Sequence, residues 1–141
     1  MNKKLLLKHL VSLMFFIFIA NSLALKFYWY SLVWYFDIIM HTLGGMWVGM
    51  FFLYVFERRG YKPLTIGLFL RVMACVLLVG LLWEMYEFYI FQHLSRNTFD
   101  LTDTLSDVGF DLLGGALSGL YFLKIIMRKL RDRVQSSNGS R

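Results

Sequence analysis

Four apolar runs, each close to the length that a helix needs to cross a bilayer, constrain this 141-residue chain more than any other feature. They extend from about Leu10 to Leu25, Leu32 to Phe56, Val72 to Phe91 and Val108 to Leu123. About 20 helical residues cross the roughly 30 Å of hydrocarbon. Backbone groups in lipid must find their partners internally, which predicts a helix for each run. Composition supports this reading: 58% of residues are hydrophobic and 17% charged, against roughly 45 to 50% and about 25% in soluble domains. A single cysteine, Cys75, excludes an internal disulfide and a cysteine-rich zinc module.

The expected architecture is therefore all-α, an integral membrane bundle of four transmembrane helices with both termini cytoplasmic. One domain covers residues 1–135, with spans at about 10–25, 32–56, 64–91 and 104–123, and residues 136–141 form a short disordered tail. The stretch from Pro63 to Leu70 is read either as the first turns of the third helix or as an interfacial piece turned by Gly60 and Pro63.

Orientation follows from the basic residues. Thirteen of the fifteen lysines and arginines fall on one side, and only Lys26 and Arg96 on the other. Short loops rich in such residues stay inside, which predicts a multi-pass membrane protein with both termini cytoplasmic. The net charge of +6 belongs to the ends of apolar segments, where membrane lipids rather than nucleic acid are the expected partner. A basic start followed by an apolar stretch and Ser22-Leu23-Ala24 also resembles a cleavable signal. Lys8 interrupts that run, and cleavage would leave three spans with opposed termini, so the uncleaved reading is preferred.

The acids are more segregated still. Glu57 and Asp132 lie in cytoplasmic flanks; Asp37, Glu84, Glu87, Asp100, Asp103, Asp107 and Asp111 lie in or beside the outer halves of spans. Ionisable groups inside a membrane cost several kcal/mol unless they face a protein interior or a wet cavity, so they point to function. Counted from the first cytoplasmic charge of each span at about 1.5 Å per residue, His41, Glu87 and Asp107 come to about 24 to 26 Å, and Glu84 and Asp111 to about 20 Å. Asn21 falls at a similar level.

The faces agree with the depths. Asp103, Asp107 and Asp111 are spaced i, i+4, i+8 and cover, with Gly114 and Ser118, an arc of about 80°. Asp37 and His41 are four apart, with Gly44, Gly45 and Val48 on the same side; Glu84 and Glu87 are three apart, with Gly80 and Phe91 beside them. Small residues on these stripes, including Gly114-Gly115 and Gly119, allow helix backbones to approach closely. The acidic stripes are thus expected to face one another.

Five or six carboxylates around one histidine cannot all remain anionic and unpaired: a cation neutralises them, or several hold protons. Asp37, His41, Glu84, Glu87, Asp107 and Asp111 are the candidate ligands of a divalent metal cation. One imidazole with several carboxylate oxygens suits Zn, Mn or Fe, or with water Mg and Ca, better than Cu(I). The Asp37 to His41 spacing also fits a carboxylate that orients a ligating imidazole. Acids near a helix start can simply complement its dipole, which accounts well for Asp103 and poorly for Asp111, a further turn into the apolar run. Glu87 could instead pair with Arg96, whereas Arg71 is too far down the same helix to reach Glu84. Asp100 reads as a solvated loop residue.

The pattern Asp37-x-x-x-His41-x-x-Gly44-Gly45, Trp83-Glu84-x-x-Glu87-Phe88 and Asp103-Thr104-x-x-Asp107-x-x-x-Asp111-x-x-Gly114-Gly115 resembles the small bacterial inner-membrane proteins of the YjdF type. More distantly it resembles VanZ-like proteins, which also open a span with Asp-x-x-x-His. The resemblance covers about residues 30–120. It implies a multi-pass inner-membrane protein, and the YjdF type brings no activity to carry over. VanZ-like proteins are associated with glycopeptide (teicoplanin) tolerance, but their later motifs differ from those here.

Aromatics such as Tyr28, Trp29, Tyr30, Trp34, Trp83 and Tyr86 read as an interfacial belt, and Cys75 as packing. Two functions fit the acidic layer. In the first, an enzyme acts on an envelope lipid or lipid-linked substrate, with Glu84, Glu87 and His41 as catalytic groups and a cation that activates water. In the alternative, a small carrier or channel subunit uses the same carboxylates to bind and release a proton or cation, which requires a polar path to the cytoplasm. A purely structural partner of a larger complex leaves the buried acids unexplained.

Overall fold

Local chemistry sets the helix ends that position the acids. The computed structural model describes residues 3–61, 65–94 and 101–138. Five helices follow in order: α1 (Lys3–Phe27), α2 (Trp29–Leu32), α3 (Phe36–Arg58), α4 (Ile66–Leu94) and α5 (Leu101–Asn138). The chain is all-helical, as expected from its apolar runs. Three of the helices are long and apolar enough to cross a membrane, over Leu6–Phe27, Phe36–Arg58 and Ile66–Ile90.

Helix α3 ends in a Schellman turn. Gly60 adopts φ 84°, its N–H reaches Glu57 O at 3.1 Å, and Tyr61 N–H reaches Phe56 O at 3.2 Å. Only glycine takes that backbone cheaply, and the Tyr61 ring packs on Phe56 with centroids 5.4 Å apart, the apolar contact that accompanies such a turn. Thr65 then starts α4 as an N-cap, its Oγ1 accepting the Leu68 N–H at 3.2 Å. Residues 66–70 are therefore the first turn of α4; residues 62–64, which include Pro63, lie outside the described residues.

Two differences from the expected bounds have local causes. Residues 32–35 do not belong to α3, because Val33 is extended (φ −123°, ψ 93°) and the short helix α2 intervenes. An apolar count cannot detect a turn made of Val33, Trp34 and Tyr35. At the other end α5 continues through Asn138, past Ser136 where the sequence places its tail. Residues 124–135 include many Lys and Arg, which are good helix formers, so the helix continues after the apolar run stops.

Helix α5 lies closest to α3, and glycines explain why. A Cβ on Gly45 would fall on the backbone carbonyl of Asp111, and one on Gly114 would fall on that of Thr42. Gly49 faces the fully buried Ser118, whose Oγ donates to Gly115 O at 2.6 Å. The contact is a small-residue crossing in which backbones touch where side chains are missing. Gly49 extends the stripe of His41 and Gly45 by another i+4 step. Below this crossing an apolar core forms from Leu6, Leu10, Met50, Leu53, Val72 and Phe122, among others. Helix α1 attaches through Trp47 Nε1–H, which donates to Leu10 O at 3.0 Å, and through a hydrogen bond between His9 Nδ1 and the Tyr121 hydroxyl.

Candidate metal centre

His41 lies one turn into α3, with Asp37 a turn before it. Because α3 and α5 touch backbone to backbone at Gly45 and Gly114, the acids of α5 arrive beside this imidazole. Nε2 lies 3.8 Å from Asp37 Oδ1 and 3.8 Å from Asp107 Oδ2. The other ring nitrogen, Nδ1, lies 3.5 Å from Asp111 Oδ1. His41 is 6% exposed, Asp107 4% and Asp111 6%. From α4, Glu84 and Glu87 complete the layer.

Among the described residues, two sets of side chains could hold a cation: Asp37, His41 and Asp107, and His41, Glu84 and Glu87. In each, one donor atom per residue lies within 4.8 Å of the others. Donors at about 2.1 Å from one ion stand at most about 4.2 Å apart, so the 3.8 Å separations around Nε2 already fit. Glu84 Oε1 is buried without a hydrogen-bond partner. A buried carboxylate oxygen left unpaired is costly, and a cation would satisfy it. The residues present thus fit a divalent ion by donor type, spacing and an unsatisfied oxygen.

Side chains from all three acidic stripes lie around His41. Asp37, His41, Glu84, Glu87 and Asp107 fall into the two donor sets. Asp111 falls in neither and faces Nδ1, whereas Asp37, which the sequence offers as a carboxylate to orient the ring, faces Nε2 beside Asp107. Gly80 makes this possible: a Cβ there would lie 2.6 Å from Asp111 Oδ2. Asp103 is exposed at the start of α5 and in neither set. Arg71 stacks over the Tyr61 ring at 4.8 Å, far from Glu84. Arg96 and Asp100 lie outside the described residues.

Aromatic partners were missed. Trp83 Nε1–H donates to Glu87 Oε1 at 2.9 Å, a pairing that the i, i+4 spacing could have revealed. The Tyr30 hydroxyl donates to Asn21 Oδ1 at 2.8 Å. Burial, and then the nearby Asp37 and Glu87 carboxylates, push that hydroxyl up to about 12, so it remains a neutral donor. Nothing distinguishes Tyr30 from its aromatic neighbours in the sequence.

Asp37, His41, Glu87 and Asp111 border a cavity of about 370 Å³, which extends down between α1, α3 and α4 past Gly44 and Val79. Comparison with known proteins gives one result. The model of a family described as predicted membrane proteins, DUF2238, matches residues 1–129. The chain belongs to that family. DUF2238 agrees with the YjdF-type resemblance, while the more distant VanZ-like resemblance finds no support. Neither a curated protein nor a solved structure matches this DUF2238 member.

Proposed function

We propose that this protein is a four-span enzyme of the bacterial inner membrane that binds a divalent cation near the outer leaflet and acts on an envelope lipid or lipid-linked substrate. The observation that carries the reading is His41, set among carboxylates of α3 and α5 with Glu84 and Glu87 of α4 opposite, beside an unpaired buried oxygen. In this reading α5 is the fourth span, and its two buried aspartates lower its overall apolarity because they serve the site. The basic residues at the α3–α4 turn and along the end of α5 support a topology with both termini cytoplasmic.

Asp37, His41 and Asp107 would hold the ion, with Glu84 free to complete the set. A divalent cation at such a site supplies Lewis acidity and makes water a stronger acid. Asp111 accepts from Nδ1 and so leaves the Nε2 lone pair for the ion. Trp83 fixes Glu87 in place, and Glu87 or Glu84 takes up a proton from the attacking group.

The carrier reading is disfavoured by what lies beneath the site. Leu10, Met50, Leu53, Val72 and Phe122 form a packed apolar layer beneath the site, which favours an enzyme over a carrier.

Incubation of the protein in nanodiscs of bacterial envelope lipid, followed by mass spectrometry of the lipids, tests the reading. A new lipid species should form with Mn²⁺ or Zn²⁺ and be absent with EDTA or with Glu84→Gln. Identical lipid profiles under all conditions would overturn it.

A further inference from the structure

We infer that the cavity beneath the acidic layer receives one acyl chain of a phosphate-bearing membrane lipid, which enters sideways between α1 and α4. The inference rests on the cation site for the polar end of that lipid and on separate observations for its tail.

The cavity changes character along its length. Its outer end is bordered by Asp37, His41, Glu87 and Asp111, and the rest by apolar groups such as Ile17, Phe18, Val76 and Val79. Its volume of about 370 Å³ lies within the roughly 300 to 1,000 Å³ of small-molecule pockets. A narrow apolar trough leading to a charged end is shaped for an amphiphile, not for a hydrated ion or a sugar alone.

Two features keep the trough open. Among the described residues no Cα of α1 comes within 8 Å of a Cα of α4, so the two helices that form its walls do not close on each other. Gly44 points into it with nothing within 4 Å of where a Cβ would stand, unlike Gly45 beside it, which is needed for the α5 crossing. Glycine weakens a helix, and no neighbouring atom requires it at position 44; what its missing side chain leaves is space.

The surroundings determine the occupant. Ile17 and Phe18 lie in the middle of the apolar helix Leu6–Phe27, and Val76 and Val79 in the middle of Ile66–Ile90. At that depth the medium outside the gap is hydrocarbon, so acyl chains are what the opening meets. A phosphate attached to such a chain would reach the cation layer, where anionic oxygens are neutralised.

Photolabelling tests this directly. The full-length protein is placed in nanodiscs containing Mn²⁺ and a phosphatidylglycerol with a diazirine midway along one acyl chain, and labelled residues are mapped. Labelling should concentrate on Ile17, Val76 and Val79 over the outward-facing Phe15 and Phe16. Gly44→Leu, whose Cβ would stand in open space at the trough wall, should reduce it by about tenfold, as should Val79→Trp. Bound Mn²⁺, counted in the same samples, should not change. Labelling spread evenly around α1 and insensitive to both substitutions would overturn the inference while leaving the cation site intact. Absence of Mn²⁺ from the parent protein, with concentrated labelling retained, would refute the proposed enzyme instead and leave the chain-binding trough. Equal protection of the trough by a free fatty acid would refute the requirement for a phosphate head.

Discussion

Adjacent residues of α3 illustrate how one atom decides a role. Gly45 touches the Asp111 backbone while Gly44 faces open space. Gly45→Ala should therefore lower stability by about 1 to 3 kcal/mol, the usual cost of overpacking. Gly44→Ala should raise it by roughly 0.5 to 1 kcal/mol through helix preference alone. Thermal unfolding in detergent, followed by circular dichroism, measures both, and the opposite signs are the test. Gly80→Ala should act differently from either, displacing the Asp111 carboxylate from His41. It should weaken cation binding by about tenfold, as loss of a residue that supports a ligand does, which an isothermal titration with Mn²⁺ would detect; unchanged affinity would contradict the orienting role of Asp111.

Among the elements, the caps and crossings carry most of the specificity. Thr65→Ala removes the cap of α4 and should cost about 1 kcal/mol, read as an earlier melting midpoint, while Thr65→Ser should restore it. The helices themselves were legible in the sequence, because runs of 16 or more apolar residues leave few alternatives in lipid. The pairing of acids within each helix was legible too: Asp37 with His41, Glu84 with Glu87, and Asp107 with Asp111 each repeat at helical spacing. What spacing could not show was which stripe faces which. Asp111 reaching Nδ1 depends on Gly80 of a different helix, and the depth of the α3–α5 contact depends on Gly49 meeting Ser118. Both are products of tertiary packing, with no signature within a single helix. The separate short helix α2, inside an aromatic-rich stretch, was hidden for a related reason: interfacial and helical aromatics look alike in composition.

For the molecule as a whole, the arrangement separates a packed apolar half from a polar half. Leu53, Val72 and Phe122 are buried in the former, and His41, Asp107 and Asp111 in the latter. The topology proposed from the basic residues requires the α1–α3 connection outside and the α3–α4 turn inside. In a Cys75→Ser background, Trp34→Cys should react with a membrane-impermeant maleimide in intact cells, and Arg59→Cys only after permeabilisation. The reverse pattern would invert the protein and remove the site from the outer leaflet. The central claim is that side chains from three helices share one ion through His41. Electron spin-echo envelope modulation of bound Mn²⁺ tests it most directly, since a coordinated imidazole imprints a ¹⁴N modulation on the metal signal. The account predicts that this modulation is present in the parent protein, lost in His41→Ala while some Mn²⁺ still binds, and retained with weakened binding in Asp107→Asn. A Mn²⁺ signal without nitrogen coupling, or one unaffected by replacing His41, would contradict it.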